Sequence, residues 1–126
     1  IKDMYKFKTP ALRNVSLTAP YGHNGAYPTL KGIIKQHLNP IKMNKSWKPA
    51  YANLPNAPWL KQIDFVTFSD KREQDRILSS INIQPVDLDE KEIDQLVLFL
   101  ESLTGKSGNQ RPFGKPIKVP SGLTID

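Results

Sequence analysis

Cysteine is missing altogether from the 126 residues. Disulfides, thiolate metal sites and thiol catalysis are therefore excluded for these residues, and so is thioether attachment of a cofactor by the chain itself. Apolar runs are short, and none approaches the roughly 20 residues that a bilayer-spanning helix needs. The opening Ile1-Lys2-Asp3-Met4-Tyr5 lacks the apolar region of a signal peptide and also an initiator methionine, so the chain is expected to be a processed piece of something longer. Aromatics make up 9% and apolar residues 38%, which permits a core without making it generous. No G-x-S-x-G elbow, phosphate-cradling glycine loop or dinucleotide fingerprint is present.

What the chain does have is proline, glycine and positive charge. Eleven prolines and seven glycines predict long irregular stretches, for which a bound cofactor could supply missing core. Lys+Arg exceed Asp+Glu by 18 to 12, a net charge of +6. That charge gives a diffuse positive field suited to an acidic partner. Nucleic acid is not expected as a partner, because the basic residues are scattered and form no arginine-rich run.

Regular structure is expected to be mostly α, within one domain. Residues 5–28 read as a structured loop with one short turn around Ala11 to Val15. Thr29 then caps a helix whose stripe is Leu30, Ile33, Ile34, His37 and Leu38, ended by Asn39-Pro40. This spacing puts His37 on the buried face. Residues 40–69 carry Pro40, Pro49, Pro55 and Pro58 with Trp47 and Trp59, and read as an irregular insertion. Asp70 to Ile81 is a charged helix with Ile77, Leu78 and Ile81 as its apolar edge. The strongest helix is Asp89 to Thr104. Asp89 and Glu92 give it a capping-box start, Ile93, Leu96, Val97, Leu100 and Leu103 a core stripe, and Gly105 a C′ stop. A proline- and glycine-rich tail, 106–126, is expected to lie extended against a partner chain or domain.

Two histidines, His23 and His37, are the candidate metal ligands. A histidine on an apolar helix face is more often a hydrogen-bonded core residue than a ligand. Zinc is disfavoured, because the chain has no cysteine and no carboxylates clustered beside the histidines. Met43 is the other soft donor near His37, with gap-filling as its plainer role. The acidic run Asp87-Leu88-Asp89-Glu90 coincides with a helix start, where negative charge is favourable in any case.

One long block adds a resemblance. Phe7-Lys8-Thr9-Pro10-Ala11-Leu12-Arg13-Asn14-Val15, then Leu17-Thr18-Ala19-Pro20-Tyr21-Gly22-His23-Asn24-Gly25, closely resembles the F-x-T-P-x-L-R-N-V-x-L-T-A-P-Y-x-H-[DN]-G block of bacterial di-haem cytochrome c peroxidases. That family includes the haem enzyme that matures methylamine dehydrogenase. Thr29-Leu30 resembles the family's T-L helix start, and Leu96 to Gly105 its closing L-x-x-F-L-x-S-L-T-G helix. The likeness covers roughly residues 5–38 and 88–105.

The resemblance implies that residues 1–105 are the distal part of a class I cytochrome c-like haem domain, with an insertion at about 40–70. The C-x-x-C-H motif, absent here, would lie on another chain or an upstream segment that carries the covalent haem c. The family's distal iron ligand, placed eight residues beyond the T-L threonine, falls on His37, with Met43 as the fallback if the register differs. Arg13 would pair with a haem propionate or tie down loop carbonyls. His23 would bond a propionate or fix its own loop. Phe7, Pro10, Leu12, Tyr21 and Leu30 would line the macrocycle. The backbone carbonyls of Thr18 and Pro20 would help to hold calcium.

The activity implied is that of a periplasmic oxidoreductase, part of a di-haem peroxidase whose hydrogen peroxide site lies on the other haem, so that no catalytic residue is expected in this chain. A small electron-donor protein and oligomeric assembly are the further partners implied. An electron-transfer subunit without peroxidase activity, and a haem-free binding module with His37 as a core residue, stay open as alternatives. The long insertion and the extra tail depart from the family pattern and leave the substrate open.

Overall fold

The computed structural model describes residues 4–54 and 56–106. It is mostly helical; among the described residues there is no strand, only an isolated bridge joining Tyr21 and Tyr27. The helices are α1 (Leu30–Leu38), α2 (Pro40–Ser46), α3 (Val66–Ser69), α4 (Lys71–Ser80) and α5 (Glu90–Ser102). Short 3-10 turns cover Val15–Leu17, His23–Gly25, Pro49–Tyr51 and Pro58–Leu60.

The ends of the main helices follow from local chemistry. The Thr29 hydroxyl accepts from the Gly32 N–H and starts α1. Asn39 closes α1 and at the same time caps α2, its side chain accepting from the Lys42 N–H, with Pro40 at the first helical position. The Asp70 carboxylate caps α4 through the N–H groups of Arg72 and Glu73. At α5 the capping box is complete: Asp89 accepts from the Glu92 N–H, and the Glu92 side chain accepts from the Asp89 N–H.

Packing centres on α1, which touches both α2 and α5, while α5 also meets the Val15–Leu17 turn. Among the described residues, Tyr21, Leu30 and Ile93 are the buried hydrophobics. Around them lie half-buried Ile33, Ile34, Leu38, Val97, Leu100 and Leu103. On the solvent side of the α1–α5 contact, Lys31 pairs with Glu90 at 2.9 Å and Asp94 at 2.6 Å, and Lys35 pairs with Glu90 at 2.6 Å.

Several expectations are corrected. Residues 40–69 are not irregular throughout: α2 and α3 lie there, because Pro40 suits a helix start as well as it ends the helix before. The short turn expected around Ala11 to Val15 is present, closed by the Val15 N–H donating to the Leu12 carbonyl at 3.1 Å, and it runs on into a 3-10 turn over Val15–Leu17 that was not expected. Asn14 takes the left-handed conformation at φ +60°, and the turn forms behind it. Leu96 is exposed, unlike the rest of its stripe. Gly105 is not the C′ residue, since α5 is capped at Leu103, and its N–H instead donates to Asn14 Oδ1 at 2.8 Å. The expected tail contact belongs to residues 107–126, outside the described residues.

Candidate functional site

The loop of residues 5–28 and helix α1 carry the residues singled out as candidates from the sequence, apart from the fallback ligand Met43 on α2. The loop is held by backbone pairing: Tyr21 N–H donates to the Tyr27 carbonyl at 2.7 Å, and Tyr27 N–H to the Tyr21 carbonyl at 3.0 Å. The pair closes a small lobe containing His23, Asn24 and Gly25. Gly25 sits at φ +66°, and a Cβ there would lie 2.8 Å from Pro20 Cγ, so only glycine fits. Within α1, Gly32 gives the Tyr27 ring its seat, since a Cβ would stand 3.3 Å from Tyr27 Cδ1. Trp47, just past α2, fastens the lobe from the other side by donating its indole N–H to the Ala26 carbonyl at 2.9 Å.

His37 lies on the last turn of α1 and is exposed, which corrects the expectation of a buried imidazole. The helical stripe does run from Leu30 through His37. However, α5 meets α1 through Lys31 and Lys35, and the Val86 N–H reaches the Leu38 carbonyl, while His37 itself stays exposed between these contacts. The ring is oriented from within its own helix, with Nδ1 2.9 Å from the Ile33 carbonyl oxygen. A carbonyl only accepts, so Nδ1 carries the proton in the neutral ring and Nε2 keeps its lone pair. Among the described residues Nε2 has no hydrogen-bond partner. This is the arrangement in which histidine serves as a metal ligand, one nitrogen held by a backbone carbonyl and the other available. On donor chemistry His37 fits an iron ligand. Met43, half-buried on α2, is the other soft donor.

The remaining candidates divide into two groups. Tyr21 and Leu30 belong to the packed centre, each 8% exposed. Burial, with the Glu101 charge as a lesser cause, raises the Tyr21 pKa and keeps its hydroxyl protonated; it donates to the Ser16 carbonyl at 3.3 Å. Phe7, Pro10, Leu12, Arg13 and His23 are exposed. Phe7 and His23 pack together with ring centroids 4.8 Å apart. The Arg13 guanidinium lies over the end of α5, where a Cβ on Gly105 would meet its Nη2 at 3.6 Å. Thr18 donates its hydroxyl to the Val15 carbonyl, and Pro20 follows a cis peptide bond. Among the described residues no group of three acidic, histidine or cysteine side chains could hold a metal ion, so the calcium expectation gains no support.

Sequence reasoning missed Asn14 and Trp47. Asn14 ties the loop to α5 twice, donating its N–H to the Leu103 carbonyl at 3.3 Å and accepting from Gly105. Asparagine tolerates left-handed backbone, which was the available signal. For Trp47 the signal was the indole N–H itself, which needs a partner once the ring is half-buried.

No protein-family model matches the chain, and no solved structure does. Curated relatives do match. The methylamine utilization protein MauG of Paracoccus denitrificans is 36% identical over 106 residues, covering 80% of this chain and 23% of that protein. The cytochrome c peroxidase Ccp of Escherichia coli is 56% identical over 37 residues, 29% of this chain and 8% of that protein. The cytochrome-c peroxidase IdrP1 of Pseudomonas sp. strain SCT is 48% identical over 33 residues. This chain belongs to the C-terminal portion of the MauG-like, di-haem cytochrome c peroxidase family. It spans less than a quarter of the length of the MauG protein it matches, and under a tenth of the two peroxidases. No helix among the described residues is long and apolar enough to cross a membrane.

Proposed function

We propose that this chain completes the distal side of a cytochrome c-like haem domain in a periplasmic, di-haem peroxidase-like oxidoreductase. In this reading His37 is the distal axial ligand of a six-coordinate electron-transfer haem, opposite a histidine supplied with the C-x-x-C-H segment of another chain or an upstream region. The observation that carries it is the His37 imidazole, exposed on the last turn of α1 with Nδ1 held by the Ile33 carbonyl and Nε2 presented outward. The fit is chemical: a neutral imidazole with its tautomer fixed is a strong donor to iron.

Other residues have supporting parts. Arg13, an exposed forked donor, suits a propionate carboxylate. Phe7, Pro10 and Leu12 are apolar and exposed, as a macrocycle edge requires, while Tyr21 and Leu30 support the helix and loop from beneath. His23, stacked on Phe7, holds the lobe beside them. The bound haem would supply one-electron transfer; replacing a thioether by imidazole lowers its reduction potential. Hydrogen peroxide would react at the other haem of the complete protein, and a small donor protein would deliver electrons to this one.

The deciding experiment is the optical spectrum of the complete protein carrying His37→Ala. The expected outcome is a haem that stays attached but turns from low-spin to high-spin. A low-spin spectrum identical to the wild type would remove His37 from the ligand role.

A further inference from the structure

A cleft of about 290 Å³ lies between the Tyr27 lobe and the segment from α2 to α4, on a side of α1 reached by Gln36 rather than His37. Its lining is chemically narrow. Three aromatic rings, Tyr27, Trp47 and Phe68, face it together with three carboxamides, Gln36, Asn44 and Gln74, and the imidazole of His23. No carboxylate, lysine or arginine is among the described lining residues. A cavity of about 150 Å³ is enough for benzene, so roughly twice that space admits a substituted or bicyclic ring.

The carboxamides are poorly engaged. Asn44 donates to Gln74 Oε1 at 3.4 Å, and Gln74 Nε2 donates to the Thr67 carbonyl at 3.3 Å, both at the long end for such bonds. Gln36 makes no hydrogen bond among the described residues. The Trp47 N–H is already given to Ala26, so Trp47 offers ring surface only. Its ring meets Phe68 edge-on at 5.1 Å, which fixes one apolar wall. Burial holds the Tyr27 hydroxyl in its protonated form, so that wall carries no charge. Apolar walls with a few convergent polar groups are the usual composition of a small-molecule site. With no carboxylate, lysine or arginine in the lining, and a single imidazole as its one ionisable nitrogen group, a charged ligand is costly to desolvate there.

We propose that this cleft binds an uncharged planar ring compound bearing a donor and an acceptor on one edge, such as an aromatic primary amide. The ring packs on Trp47 and Phe68, and its polar edge exchanges the long carboxamide contacts for shorter ones. The cleft is separate from the candidate iron ligand, because neither His37 nor Arg13 lines it, and it shares only His23 with the loop at the candidate haem edge.

Calorimetric titration of the complete protein with three matched probes tests it: benzamide, benzoate and cyclohexanecarboxamide. Benzamide is expected to bind at least about tenfold tighter than either of the others, the scale of one lost hydrogen bond or one lost ring contact. Gln74→Leu and, separately, Phe68→Leu should each weaken benzamide by about tenfold with an unchanged circular dichroism spectrum, whereas His37→Ala should leave it bound. Equal affinity for all three probes, no benzamide binding, or benzamide binding unaffected by Gln74→Leu would each overturn the proposal. Gln74→Leu keeps the test intact if the aromatic variant fails to fold.

Discussion

Asn14 does more for the candidate site than any residue the motif itself advertises. At φ +60° its backbone turns the loop into Val15–Leu17, and both its N–H and its side-chain oxygen bond to the end of α5. Replacement by alanine removes the side-chain bond and keeps a Cβ in left-handed backbone without the polar group that lets asparagine tolerate it, while glycine removes the bond together with the Cβ. Denaturant unfolding of the complete protein should show Asn14→Ala costing about 2 kcal/mol and Asn14→Gly about 1 kcal/mol. Equal costs would mean that the backbone conformation contributes nothing. Residue identities in this region were legible in the sequence, but their tasks were not. The periodicity of α1 placed His37 on the stripe with Leu30 and Ile33, yet burial depends on which element lies above each turn, and spacing within one helix carries no such information.

Among elements, α1 and α5 are clasped by Lys31, Lys35, Glu90 and Asp94. The hydrogen bonds donated by Lys35 and Lys31 lower the Glu90 carboxyl to about 2, and those that Lys31 donates to Asp94 and Glu90 raise its ammonium. Because the Glu90 pKa is depressed in the folded state, its contribution is present above the ordinary carboxylate pKa and is lost as pH falls from there through about 2. Lys31 acts at the other end: its contribution is present below its ordinary value of 10.5 and is lost as pH rises through the folded-state value. The groups are solvated, so salt screens both effects. Thermal melts of the complete protein should therefore separate wild type from Glu90→Gln near pH 6 and low salt, and bring them together near pH 2 or in about 1 M salt. A difference that persists at pH 2 would assign the effect to something other than this carboxylate. The caps of α1 and α5 were readable in advance because capping is a rule about neighbours in sequence. The α2 start was not, since a proline that ends one helix and begins the next gives the same local signal in both cases.

For the whole molecule, the balance of buried and exposed apolar surface is the main fact. Among the described residues Tyr21, Leu30 and Ile93 are buried, while Phe7, Trp59, Ile63, Leu98 and Phe99 are each more than half exposed. A chain of this size with so small a core lies near the margin of independent stability. Expressed without the rest of its protein, it should lack a cooperative thermal transition and bind a hydrophobic dye. A sharp calorimetric unfolding peak from the isolated chain would contradict this. Composition had already shown that the core was not generous, but which side chains stay exposed depended on tertiary contacts that no single-sequence pattern encodes.

The loop between α4 and α5 holds one bond that links these scales. The Val86 N–H donates to the Leu38 carbonyl at 2.9 Å, at the end of the turn that carries His37. Its neighbours from Asn82 to Asp87 are all exposed, so slow deuterium exchange at Val86 would stand out against fast exchange around it. That single amide is therefore a native clock for how often the His37 turn opens. Its exchange should slow further in any assembly that holds the imidazole in place.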